Sequence, residues 1–166
     1  LRAPKQEDAA EMLAYLRTAC AETEFLACYP EEYDSFTVEG EATYLNNIVE
    51  STSKLMIVSE VDGKNAGNCQ IVFMTSEKTL HRAELCIALL NEYCSLGIGT
   101  VMFAEMEQAA RGRNIRQLEL EVISGNAPAM GLYRKAGFTE VGARPDAFRF
   151  RDGTYHDEIY MRKVLI

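Results

Sequence analysis

The chain has 166 residues, 48% hydrophobic and 25% charged, and at roughly 150 residues per domain this predicts one folded domain over residues 1–166. Its 17 Lys and Arg against 25 Asp and Glu leave a net charge of −8, which gives no general basic surface for neutralising phosphates, so nucleic acid is not expected as a partner. The five cysteines form no Cys-x-x-Cys pair, His81 and His156 stand outside any metal-ligand spacing, and no run of about 18 apolar residues occurs. We therefore expect a reducing, cytoplasmic setting with no metal site and no membrane span.

In chain order, residues 1–5 read as a short first strand, after which Asp8 can cap a helix with Ala9, Met12, Leu13 and Leu16 on one face. Residues 20–50 mix apolar and acidic positions and suit a loop followed by a second helix ending near Ser51. Residues 55–61 predict a strand, Asp62-Gly63-Lys64-Asn65 a turn and 66–74 the returning strand of a hairpin. A further strand over 81–90 places Ala83, Leu85, Ile87 and Leu89 on one side and Glu84 on the other. The period turns helical over 98–111, with Ile98, Met102, Met106 and Ala109 in one stripe and Gly112 at its end. Alternation returns over 115–123, where Leu118, Leu120 and Val122 oppose Gln117, Glu119 and Glu121. Near the end, Phe148-Arg149-Phe150 and the turn at Asp152-Gly153 predict a hairpin within 144–161.

Two segments carry chemistry. Leu96-Gly97-Ile98-Gly99-Thr100 lies between an apolar strand and an amphipathic helix. Glycines there permit a close backbone approach, and the N–H groups and positive partial charge of the helix start can converge on a phosphate. A plain tight turn explains the same residues. Met102 stands where Gly-x-Gly-x-x-Gly needs its third glycine, and the Gly-Lys-Ser/Thr ending of a P-loop is missing. The second segment, residues 126–138, is a short helix with Asn126 as N-cap, Pro128 in its first turn and Gly137 as left-handed C-cap. Its Tyr133 is either core or a proton donor beside a strand end.

Taken together, these segments resemble the GNAT superfamily of acyl-CoA-dependent N-acyltransferases along nearly the whole chain. Glu7-Asp8-Ala9 is similar to the start of the family's first helix, residues 84–99 to its fourth strand and pyrophosphate loop, and residues 126–138 to its Asn-x-x-Ala-x-x-Leu-Tyr-x-Lys-x-Gly-Phe segment. The resemblance implies an α/β fold with a mixed sheet of about seven strands, the fourth (81–90) and fifth (115–123) splayed apart, and about four helices. It implies acetyl-CoA as acyl donor. Cys94, Ser95, Leu96, Gly97, Ile98, Gly99 and Thr100 would hold the pyrophosphate, Ile87 and Leu89 would offer main-chain groups to the pantetheine, and Asn126 would touch that arm. The loop departs from the family's Arg/Gln-x-x-Gly-x-Gly/Ala pattern, since Cys94 replaces the first basic or amide residue. Arg134 or Lys135 is then expected to supply charge.

Acyl transfer to an amine needs a base, a polarised carbonyl and a proton for the departing thiolate. By resemblance Tyr133 is the general acid. Glu84 is the expected base, directly or through water, or else a surface or ion-paired carboxylate, and His81 is a further option or a structural strand-edge histidine. Cys86 and Cys94 lack an activating partner, so no acyl-enzyme is expected. The acceptor pocket would be lined by the closing hairpin and residues 25–45, where Glu24, Glu31, Glu32 and Asp34 either bind a cation or form a solvated acidic loop. The leading expectation is an acetyl-CoA-dependent N-acetyltransferase acting on a small-molecule or peptide amine. Its alternatives are a catalytically weak acyl-CoA-binding module and a phosphate-ligand domain of another fold. The sequence is compatible with a homodimer.

Overall fold

The computed structural model describes residues 1–165. Its elements are α1 (Ala9–Glu22), α2 (Val38–Val49), β1 (Lys54–Val61), β2 (Lys64–Phe73), β3 (Arg82–Leu89), α3 (Ile98–Gly112), β4 (Gln117–Ile123), α4 (Ala127–Lys135), β5 (Thr139–Arg149) and β6 (Tyr155–Val164). Short 3-10 turns lie at Gln6–Asp8, Pro30–Ser35 and Asn91–Tyr93.

Local chemistry fixes most boundaries. Asp62 and Gly63 both take positive φ, the turn geometry whose twist suits the β1–β2 hairpin. The Thr37 hydroxyl accepts the Gly40 N–H at 3.0 Å to start α2, and Asn126 Oδ1 accepts the Ala129 N–H at 3.2 Å to start α4. Asp8 precedes α1 but does not cap it. Its carboxylate instead accepts the Lys5 N–H at 2.7 Å and both Arg2 terminal nitrogens, at 2.6 and 2.9 Å. At the end of α3, Asn114 rather than Gly112 enters the left-handed region, with φ 58°.

The sheet has six strands in the order β1-β2-β3-β4-β6-β5, one fewer than the sequence suggested. The expected first strand is reduced to a single antiparallel bridge between Arg2 and Val58. Two residues later Pro4 has no N–H for a ladder, and a helical turn begins at Gln6. Among the described residues only β3 and β4 run parallel; the other neighbours are antiparallel.

Two apolar clusters hold the sheet in place. On one face Met102, Phe103, Met106 and Ala110 of α3 and Tyr133 of α4 pack on Ile71, Leu85, Leu118, Leu120 and Met161. On the other, Met12, Tyr15 and Ala19 of α1 and Leu45 and Ile48 of α2 cover Met56 and Val58. Each large side chain fully buried this way stabilises the fold by about 1.5–3 kcal/mol. α1 and α2 sit over the β1–β2 half, and this second face of β4 and β6 borders a cleft.

Candidate active site

The cleft exists because β3 and β4 part company. They pair only through Arg82–Glu84 and Gln117–Glu119, although β3 continues to Leu89 and β4 to Ile123. At the closed end the Arg82 guanidinium forks onto Glu119 and holds that carboxyl below its usual range. At the open end β3 leans onto β2. A Cβ on Gly67 would stand 2.5 Å from the Ala88 carbonyl oxygen, so only glycine admits this approach. Tyr15 Oη donates to the same carbonyl at 2.9 Å. The resulting cleft is about 1170 Å³.

One end is made by the loop into α3 and by α4. Ile87, Leu89, Cys94, Ser95, Gly97, Gly99, Thr100, Asn126 and Lys135 all line the cleft. Leu96 and Ile98 do not: Leu96 is 67% exposed, and Ile98 packs against the α3 core. Gly97 takes φ +85° immediately before α3, whose first turn holds no acidic residue, so the helix start presents unopposed positive partial charge. Arg134 is ion-paired with Glu140, which leaves Lys135 as the basic side chain of this end. Asn126 uses its carbonyl oxygen for capping, so its amide nitrogen remains the group it can offer a ligand.

Tyr133 is buried between these parts and reaches the cleft from α4. Its ring meets Phe103 edge-on at 5.6 Å and Phe138 at 6.4 Å. Burial pushes its phenol pKa well above the ordinary tyrosine value, which keeps the proton on at neutral pH.

The other end is carboxylate-rich. Glu84 is exposed on β3 at the closed end, directly opposite Glu119. Glu121 lies two residues further along β4, opposite Tyr160 of β6, where the strands have separated. Glu158, two residues before Tyr160, is 7% exposed. Its Oε2 accepts the Tyr160 hydroxyl at 3.0 Å and pairs with Arg144 of β5 at 2.8 Å. Partial loss of water contact against the cleft wall first, then the charges of Glu158 and Glu84, push the exposed Glu121 carboxyl up, while Arg144 opposes them.

Sequence reasoning brought Glu84 to this cleft but passed over Glu121, Glu158, Tyr160 and Arg144. The one available signal was the alternation that puts Glu121 on the same face as Glu119. His81 precedes β3 and lies outside the cleft lining. In the acidic loop Glu31 pairs with Arg151, Asp34 pairs with Arg17, and Glu32 accepts the Tyr29 N–H at 2.6 Å. That charge run thus ties the loop to α1 and to the β5–β6 turn. Phe25 and Leu26 from the same loop line the cleft. Phe25 rests on Phe150 at 6.0 Å, and Phe150 stacks on His156 at 3.9 Å.

Comparison with known families gives a match over most of the chain. Residues 15–138 match the family model described as the acetyltransferase (GNAT) family. The chain belongs to the GNAT acetyltransferase family. Among its relatives, spermidine N(1)-acetyltransferase of Escherichia coli K12 is 31% identical over 80% of this chain and 69% of its own length. A GNAT-family acetyltransferase structure from Streptococcus pneumoniae superposes with a TM-score of 0.90 at 27% identity, covering 99% of this chain and 98% of that one. The ribosomal-protein-alanine N-acetyltransferase of Brucella melitensis gives a TM-score of 0.83 at 27% identity, with coverage of 99% and 98%. Among the described residues no helix is long and apolar enough to cross a membrane, and no three His, Cys, Asp or Glu side chains are grouped to hold a metal ion.

Proposed function

We propose that this GNAT protein transfers the acetyl group of acetyl-CoA directly to a primary amine, as one catalytic domain over residues 1–166, in a reducing cytoplasmic setting. The observation that carries this is the opening between β3 and β4, with an anion-compatible helix start at one end and carboxylates at the other. The glycine turn, the absence of acid in the first turn of α3 and the 1170 Å³ volume fit a phosphate-bearing thioester. Backbone N–H groups of residues 94–100, with Lys135, would hold its phosphates. Ile87, Leu89 and Asn126 would align its arm. When bound, acetyl-CoA supplies an activated acyl carbon.

The chain's own groups supply the proton transfers. A carboxylate at the far end takes the proton of the acceptor ammonium and frees the nitrogen lone pair to form the C–N bond. As the C–S bond breaks, the Tyr133 hydroxyl gives its proton to the sulfur and is restored by the second proton that the nitrogen loses on becoming an amide. Glu84 is the proposed base, and Glu121 is a second carboxylate able to act because it stands where the strands are apart. The acceptors named for the two relatives, spermidine and a ribosomal-protein alanine, share an amine nucleophile. A cationic amine suits the excess of carboxylates at that end.

A second reading, a CoA-thioester-binding module with weak turnover, is favoured by one feature: residues 94–100 contain no basic side chain. Thermal shift with acetyl-CoA, CoA, ATP and NAD, followed by thiol release from acetyl-CoA with a panel of amines, tests both. The expected result is stabilisation by acetyl-CoA and CoA only, with thiol release that depends on amine. Stabilisation without release selects the binding module, and equal stabilisation by NAD rejects both.

A further inference from the structure

Glu158 is a buried carboxylate that the direct-transfer scheme leaves without a role. It sits on β6 with Ile123 of β4 as one ladder partner and Arg144 of β5 as the other. Its side chain shares a sheet face with Tyr160 and Glu121, because Tyr160 is two residues along β6 and faces Glu121 across the ladder. Every element around it contributes a polar or charged group. β5 gives Arg144 at 2.8 Å, β6 gives the Tyr160 hydroxyl at 3.0 Å, and β4 gives the Glu121 carboxyl on the same sheet face, which itself feels the charge of Glu84 on β3. Further along the face, Glu119 is neutralised by Arg82, and Arg162 lies 3.5 Å from Gln117.

Exposure separates the two carboxyls. Glu158 is almost wholly enclosed, whereas Glu121 is exposed on the cleft wall where the strands have parted. Glu158 therefore cannot meet an acceptor easily, but it touches the group that can. Two ionised carboxyl groups on one face of the sheet repel each other, so the Glu158 charge opposes ionisation of Glu121. Arg144 offsets that repulsion from the solvent side, with its own side chain 64% exposed.

We propose that Glu158 is a positioning residue of the acetyl transfer: anchored by Arg144 and Tyr160, it holds the Glu121 carboxyl toward the acceptor. This rests on the amine-acetylation reading and deepens it. Glu121 takes one proton from the acceptor ammonium, the freed nitrogen forms the C–N bond, the sulfur leaves with the Tyr133 proton, and the second proton that the nitrogen loses on becoming an amide restores the Tyr133 hydroxyl, so protons and electron pairs balance. Loss of the Glu158 charge makes Glu121 easier to deprotonate, and loss of Arg144 makes it harder.

The test reads Glu121 directly. Glutamate labelled with 13C at the side-chain carboxyl is followed through a pH titration by NMR, with Glu121→Gln identifying the resonance. Glu158→Gln keeps an oxygen for the Tyr160 hydroxyl and removes only the charge. In it the Glu121 midpoint should move to lower pH, and in Arg144→Met to higher pH. With acetyl-CoA and spermidine as the probe amine, the acidic limb of kcat/KM should move in the same two directions.

A role confined to packing would lower kcat in both variants and leave midpoint and limb in place, which overturns the proposal. So does a midpoint that moves without the limb, because Glu121 would then take no part in the chemistry. Wild-type protein that releases no thiol with any amine overturns the acetylation reading itself. The two failures are distinct, because the carboxyl titration requires no acceptor.

Discussion

The two ends of the cleft are built in different ways. The proposed cofactor end comes from two contiguous stretches, residues 94–100 and 126–137, and depends on backbone conformation, helix starts and caps. The proposed acceptor end is assembled from side chains on β3, β4, β5 and β6 that meet only through strand register. A site of the first kind recognises a constant feature, a phosphate beside N–H groups, and tolerates side-chain change. In a site of the second kind each carboxyl alters the others, so one substitution shifts the whole group.

The largest expected effect falls between the ends. Tyr133→Phe removes a hydroxyl and keeps the ring against Phe103 and Phe138. If the phenol protonates the thiolate, kcat at saturating amine should fall on the order of a hundredfold or more, with acetyl-CoA binding and Tm little changed. Next, Glu84→Gln and Glu121→Gln compare the two carboxylates that can serve as base. The variant that removes the base should lose on the order of a hundredfold in kcat, while the other loses well under tenfold. Equal and small losses would show that neither accepts the proton.

At the cofactor end, Gly97→Val places a branched side chain at φ +85° and should abolish the thermal shift with acetyl-CoA. Gly99→Val differs in kind. A Cβ there meets Leu132 at 3.0 Å and Leu89 at 3.4 Å, so the variant should also lower the Tm of the ligand-free protein. Retained binding in folded Gly97→Val would move the phosphate cradle elsewhere. The smallest effect is Asn126→Ala, which removes the cap of α4 and should lower stability by about 1 kcal/mol, read by denaturant unfolding.

What was legible in the sequence follows the same division. Asn126, Pro128, Gly137 and the glycine pair before α3 act through their neighbours in the chain, so their pattern places the helix starts and the loop without knowledge of the fold. Separation of β3 from β4 was implied by family resemblance, but its physical basis was not visible. That basis is Gly67 admitting the Ala88 carbonyl and Arg82 clamping Glu119, contacts between residues far apart in sequence. Glu121 and Glu158 are 37 positions apart, and no local pattern pairs them until the β4–β6 register is known. Local signals also misled where a tertiary partner competed. Asp8 looks like a helix cap, but Arg2 and the Lys5 N–H claim its carboxylate.

The central claim is that donor and acceptor occupy the two ends of one cleft together and react directly. Initial rates with acetyl-CoA and the fastest-turning amine varied against each other test this most directly. Reciprocal plots should intersect, as for a ternary complex, and intact-mass measurement after acetyl-CoA alone should find unmodified protein. Parallel plots together with an acetylated chain would contradict direct transfer and assign the acyl group to a protein nucleophile.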